Sequence, residues 1–152
     1  MPVPKSVTKV KKDGVEFISS VDRVSYTIEE LTRAALRDCA KLVRKRWIEK
    51  LKKLPGMRRN RRVYRSSQYW VRRREADLLI GFKHDAWYGA RSELGTHGSP
   101  ARNTLRETVY ENINQMQIIQ GQYLSAIEDE NRALGLIDHD GNEYESGEGP
   151  EE

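Results

Sequence analysis

The sequence predicts an α+β fold: a small antiparallel sheet packed against one long N-terminal helix and one long C-terminal helix. Three observations lead there. Leu36, Cys39, Val43, Trp47, Leu51 and Leu54 recur every three or four residues, one apolar face of a helix. Residues 63–73 and 76–83 are short runs carrying Val63, Tyr64, Tyr69, Trp70 and Val71, then Leu78, Leu79, Ile80 and Phe82, the composition of strands. Leu105, Val109, Ile113, Met116, Ile119, Tyr123 and Ile127 restore the three-to-four spacing near the end.

Taken in order, residues 1–13 hold two prolines and four lysines and predict a flexible basic arm. Residues 15–26, with Val15, Phe17, Ile18, Val21, Val24 and Tyr26, predict a strand, bent near Ser19-Ser20 where alternation fails. Thr27 followed by Glu30 has the spacing of a capping box, so the first helix is expected from Thr27 to about Leu54, with Pro55-Gly56 as its stop. The two strands that follow form a hairpin turning near Arg74-Glu75. A short helical turn carries Trp87 and Tyr88, and residues 95–100 are a loop. The last helix is expected to start near Ala101 and stop at Gly135. The organisation expected is an arm over 1–13, one domain over 14–134 and an acidic disordered tail over 135–152.

The net charge of +4 conceals its distribution. Residues 41–74 hold 15 Lys or Arg and one acid, Glu49, a net of +14; residues 135–152 hold seven acids and no Lys or Arg, a net of −7. The acids of the tail are Asp138, Asp140, Glu143, Glu145, Glu148, Glu151 and Glu152, candidates for contact with a basic partner surface. The basic candidates are Arg58, Arg59, Arg61, Arg62, Arg65, Arg72, Arg73 and Arg74, with Tyr64, Tyr69 and Trp70 between them. Basic residues interleaved with aromatics suit the phosphate backbone of nucleic acid. No helix-turn-helix, zinc-finger or RNA-recognition signature accompanies them, so no sequence-specific readout is expected. Direct nucleic-acid contact, docking on an acidic protein and a merely solvated surface all remain open at this point.

Catalytic and metal chemistry find little support. His84, His97 and His139 are far apart and in no ligand spacing, and the single cysteine, Cys39, sits on the apolar face of the first helix. Residues 138–143 lack the spacing of a calcium loop, and residues 95–98 lack the lysine of a phosphate-binding loop. No enzyme activity, metal or cofactor is expected. The first residues form no apolar signal sequence, and no stretch reaches the roughly 18 apolar residues of a membrane helix, so a cytoplasmically made protein with no membrane partner is expected.

The run from Tyr88 to Arg106 is the most specific. Tyr88, Glu93, Gly95, Thr96, Pro100, Ala101, Arg102, Leu105 and Arg106 lie ahead of a long helix. This pattern resembles the neck and tail-completion proteins of siphovirus-type bacteriophages. Those carry Tyr, a few residues, Glu-Phe-Gly-Thr, a short loop, Pro-Ala-Arg-Pro-Phe-Leu-Arg-Pro-Ala and a final helix. Here Leu94 replaces Phe, Asn103 and Thr104 stand at Pro-Phe, and Glu107 stands at a common proline. The resemblance implies a structural virion protein at the head–tail junction or tail end, assembled in the host cytoplasm. It also implies a homo-oligomeric ring, six- or twelve-fold, with neighbouring neck and tail proteins as partners and non-specific contact with packaged DNA. The alternative is a free nucleic-acid-binding protein that uses its basic segment. Read locally, Gly95 and Gly98 permit sharp turning, Ser99 would cap a helix opening at Pro100, and Glu93 is placed to meet backbone amides of the loop.

Overall fold

The computed structural model describes residues 4–5, 7–54, 63–72 and 76–141. The fold is α+β, and among the described residues the strands form two two-stranded antiparallel sheets in place of one. The chain divides into two compact units, residues 35–121 and residues 1–34 with 122–152. Helix α1 (Val21–Lys53) contributes to both.

The smaller unit opens with strands β1 (Thr8–Lys12) and β2 (Val15–Ser19). Their register pairs Lys12 with Val15 and leaves Asp13-Gly14 as a two-residue turn, both at positive φ. That is the turn geometry Asp-Gly favours, because it matches the twist of the flanking strands. The flexible arm expected over residues 1–13 therefore gives way to a strand from Thr8. Every residue of β1 is exposed.

Helix α1 starts at Val21, six residues ahead of the expected Thr27. The Ser19-Ser20 step supplies the start: the Val21 amide donates to Ser19 Oγ (3.4 Å) and the Val24 amide to the Ser20 carbonyl (3.1 Å). Thr27 sits inside the helix and turns its hydroxyl back on the Arg23 carbonyl (3.0 Å), a bond open to helical threonines. Val21 and Val24 cost only tenths of a kcal/mol each as helix residues, about 0.5 kcal/mol, too little to hold the chain in a strand. Asp22 in the first turn and Lys50, Lys52 and Lys53 in the last complement the helix dipole. In this unit Leu31, Ala34, Tyr123, Ala126 and Ala133 are buried. Arg33 is buried too, held by Glu30 and Glu29 one turn earlier.

The larger unit is built on the second part of α1. Ala40, Val43, Trp47 and Leu51 are buried along one stripe, as their spacing requires. Residues 63–66, expected as strand, form a 3-10 turn before β3 (Ser67–Arg72). Strand β4 (Asp77–Phe82) returns antiparallel, pairing Arg72 with Asp77 and Ser67 with Phe82. The Phe82 ring lies 4.7 Å from the Trp47 ring, tilted by 52°. Helix α2 (Trp87–Leu94) follows, and its Gly89 passes so close to Phe82 that a Cβ there would sit 3.1 Å from the ring.

The expected long final helix is broken into α3 (Thr104–Glu111), α4 (Ile113–Ser125), a 3-10 turn (Ala126–Glu128) and α5 (Glu130–Gly141). Asn112 makes the first break by folding its side-chain amide onto the Thr108 carbonyl (2.7 Å). Asp129 makes the second. Its backbone is extended, and its carboxylate accepts from the Arg132 amide (3.3 Å) while its carbonyl accepts from Ala133 (2.9 Å), an N-cap for α5. Gly135 lies within α5 and does not stop it, so the tail expected to be disordered from residue 135 is helical through Gly141. No helix among the described residues is long and apolar enough to cross a membrane.

Cys39 is buried, with its thiol 3.8 Å from the Met116 carbonyl. Burial first, and the neighbouring Asp38 carboxylate second, push its pKa up. A neutral folded thiol resists ionising while the unfolded one does not, so its contribution to stability is full below the unfolded pKa of about 8.5 and fades as pH rises above it. A thiol reagent at neutral pH should leave Cys39 unlabelled in the native protein and label it fully in denaturant; rapid native labelling would show that this part of the core opens readily.

Candidate functional site

Six of the residues in the run from Tyr88 to Arg106, namely Glu93, Gly95, Thr96, Ala101, Arg102 and Leu105, take part in one clasp. The Gly95 amide donates to the Arg91 carbonyl (2.9 Å), closing α2. Thr96 and Ser99 then exchange two backbone hydrogen bonds of 2.9 Å across the His97-Gly98 turn, with Gly98 at φ 106°. The returning segment ties back onto the end of α2: Arg102 N–H donates to the Ser92 carbonyl and Asn103 N–H to the Glu93 carbonyl, both at 3.2 Å.

Gly95 itself has φ 79° and ψ 170°, a region that only glycine enters freely. A Cβ at this position would stand 2.7 Å from the Ala101 amide nitrogen. The pairing of Gly95 with Ala101 in the motif is thus a steric relation: the two backbones touch.

Glu93 closes the clasp. Its carboxylate accepts from the Thr104 hydroxyl (2.6 Å) and from the Leu105 amide (2.5 Å). Thr104 Oγ1 accepts in turn from Trp47 Nε1 at 3.0 Å. A carboxylate at a helix N-terminus satisfies an orphan N–H and meets the positive end of the dipole. Glu93 therefore caps α3 from eleven residues before its first residue, and the chain of bonds runs from α2 through the start of α3 to Trp47 near the C-terminal end of α1. The helix opens at Thr104, and the cap expected from Ser99 with Pro100 does not form. Asn103 precedes the helix in the left-handed region, φ 50°. Proline cannot adopt that angle, and a phenylalanine could not take up the Trp47 and Glu93 bonds made by Thr104. The two departures from the resembled pattern thus belong to one local solution.

Glu93→Gln should lower stability by about 1–2 kcal/mol, since a charged acceptor becomes neutral and the capping charge is lost. Urea unfolding monitored by circular dichroism would measure this. A midpoint unchanged from the parent would mean that the carboxylate contributes little to holding the clasp.

Tyr88 is half-buried, and Pro100, Ala101, Arg102 and Arg106 are exposed. Helix α2 carries a row of solvent-facing side chains at three-to-four spacing: Trp87 is 61% exposed and Leu94 78% exposed, with the Arg91 guanidinium 5.5 Å from the centre of the Trp87 ring. Tyr110 on α3 is 63% exposed. Large apolar side chains presented in this way mark contact surfaces more often than scattered single exposures do.

The charge-based candidates divide. Arg65 and Arg72 are exposed, at the 3-10 turn and the end of β3. Arg58, Arg59, Arg61, Arg62, Arg73 and Arg74 lie outside the described residues, as do Glu143, Glu145, Glu148, Glu151 and Glu152. Asp138 and Asp140 fall on α5. Trp47 and Thr104, central to the clasp, were not singled out by motif; a buried indole that needs an acceptor was the available signal. No family model matches the chain, and no curated protein or solved structure matches it at a significant level.

Proposed function

We propose that this protein is a structural component of a phage virion, of the neck or tail-completion type, and that copies of it form a ring joining head and tail. The observation that supports this reading most is the clasp. Four positions of the resembled pattern meet in two pairs, Glu93 with Leu105 through a hydrogen bond and Gly95 with Ala101 through close backbone approach, which supports reading the pattern as one structural device. The row Trp87, Arg91 and Leu94 on α2 adds a surface rich in the residue types that dominate interfaces. In this reading the protein is not an enzyme and uses no cofactor. Its place is the virion, at the head–tail junction or tail end, beside other neck and tail proteins.

Self-association is open to direct measurement. Light scattering or native mass spectrometry of the purified chain at rising concentration should reveal a discrete species at a whole-number multiple of 17.6 kDa. Leu94→Asp should shift that species toward the monomer. A chain that stays at 17.6 kDa throughout would count against a ring formed by this protein.

A further inference from the structure

Helix α4 holds no Asp, Glu, Lys or Arg, in a chain where 33% of residues are charged. The uncharged run covers residues 112–127, twice the length of the next, residues 94–101. Burial accounts for one side of it only. Tyr123 is buried and Met116 and Ile119 are half-buried, so that side faces the protein. On the opposite side stand Asn114, Gln117, Ile118, Gly121, Leu124 and Ser125. They lie along one continuous helix, whose turn of about 100° per residue sets them within about 120° of arc. All six are exposed, Ile118 to 61% and Leu124 to 65%. A helix face left in water ordinarily carries charge, and the centres of protein interfaces are depleted of it.

Gly121 lies in the middle of this face. It is helical, so no left-handed angle calls for glycine, and no described atom stands within 4 Å of where its Cβ would begin. Glycine is a poorer helix residue than any other except proline. Nothing within the chain offsets that cost at this position. What glycine does provide is an open hollow between Ile118 and Leu124, one turn to either side, where another backbone can come close.

The polar members of the face select the occupant. Asn114 and Gln117 each carry a donor and an acceptor on one amide, so each can pair with an identical amide. A lysine or a carboxylate would instead meet its own charge in a second copy. A two-fold contact sets the same patch on both partners, so it demands a surface that complements itself. This face meets that demand, being apolar or amide-bearing throughout with a hollow at its middle.

We propose that α4 docks on α4 of a second copy of this chain. The two helices cross at Gly121, toward the short end of the roughly 8–10 Å range of helix separations. Ile118 and Leu124 of each copy flank the glycine of the other, and the amides pair around them. The contact uses no residue of the α2 row and is independent of ring formation.

The test is sedimentation equilibrium of the full chain over a range of concentration, with thermal melting followed by circular dichroism. The Leu94→Asp chain, which lacks the contact assigned to α2, should still form a dimer of 17.6 kDa subunits. Gly121→Ala should weaken that dimer about tenfold by filling the hollow. At a dilution where the chain is monomeric, the same substitution should raise the melting temperature, because alanine is the better helix residue. A purely structural role for Gly121 would lower the melting temperature and leave association alone. Gly121→Leu should abolish the dimer, and Leu124→Gln, exposed in the single chain, should weaken it with melting unchanged. A dimer that persists in Gly121→Leu, or a chain monomeric at every concentration, would overturn the proposal; the second result would make a different protein the occupant of α4.

Discussion

Trp47→Ala should destabilise the larger unit by about 3–5 kcal/mol, the cost of deleting a fully buried aromatic side chain. Trp47 is 0% exposed and lies where three parts of the chain meet. Its ring stacks at a tilt on Phe82 of β4, and its indole N–H holds Thr104 at the head of α3. Removing it leaves a cavity under the hairpin and takes one partner from Thr104, so the hairpin and the clasp loosen together. Against a total stability of about 5–15 kcal/mol such a loss is a large share. Trp47→Phe separates the two contributions. It retains a ring against Phe82 and deletes only the donor, and should cost about 1–2 kcal/mol beyond the smaller ring volume. Chemical denaturation of the parent and both variants gives the comparison. A Phe variant as unstable as the Ala variant would show that the hydrogen bond, and not the packing, dominates.

Gly95→Ala is expected to cost about 3 kcal/mol, because two penalties act at once. The backbone would have to hold an L-residue at φ 79° and ψ 170°, and the new methyl would start 2.7 Å from the Ala101 nitrogen. Backbone cannot yield as a flexible side chain does, so the loop must shift as a whole. Gly98→Ala provides the contrast. Gly98 also has a positive φ, 106°, but no atom lies within 4 Å of its Cβ position, so only the conformational part remains, about 1 kcal/mol. Hydrogen exchange at the Arg102 and Asn103 amides, which tie the loop to α2, should accelerate in Gly95→Ala far more than in Gly98→Ala. Equal effects would mean that the close approach to Ala101 carries no weight.

Much of the larger unit could be read from periodicity. The apolar stripe of α1 and the alternation of β3 and β4 each reflect burial on one face, which leaves a regular trace. The misreadings came where a local side-chain bond decided the matter. Thr27 and Glu30 have capping-box spacing, but the Ser19-Ser20 step opens the helix at Val21, six residues earlier, and Thr27 then bonds within it. Asn112 and Asp129 interrupt a run whose apolar spacing is continuous, because each side chain satisfies a backbone group that a helix would otherwise use. Asp13-Gly14 was a legible turn signal, masked by the lysines around it. The clasp was partly legible. Gly95 and Gly98 announced tight turning and Glu93 a backbone partner, whereas the bond from Trp47 to Thr104 joins residues 57 apart and leaves no local pattern.

Asn103 and Thr104 depart from the resembled pattern together. Here Asn103 takes an angle closed to proline, and Thr104 fills the next position with a hydroxyl that has two partners. The exposed row on α2 lies beside this loop in sequence.

Deleting the gene from the phage genome proposed to encode it, and imaging the particles by electron microscopy, tests the central claim most directly. The account predicts filled or emptied heads and separate tails, with joining restored when the protein is supplied in trans. Complete virions with firmly joined tails in the deletion strain would contradict it.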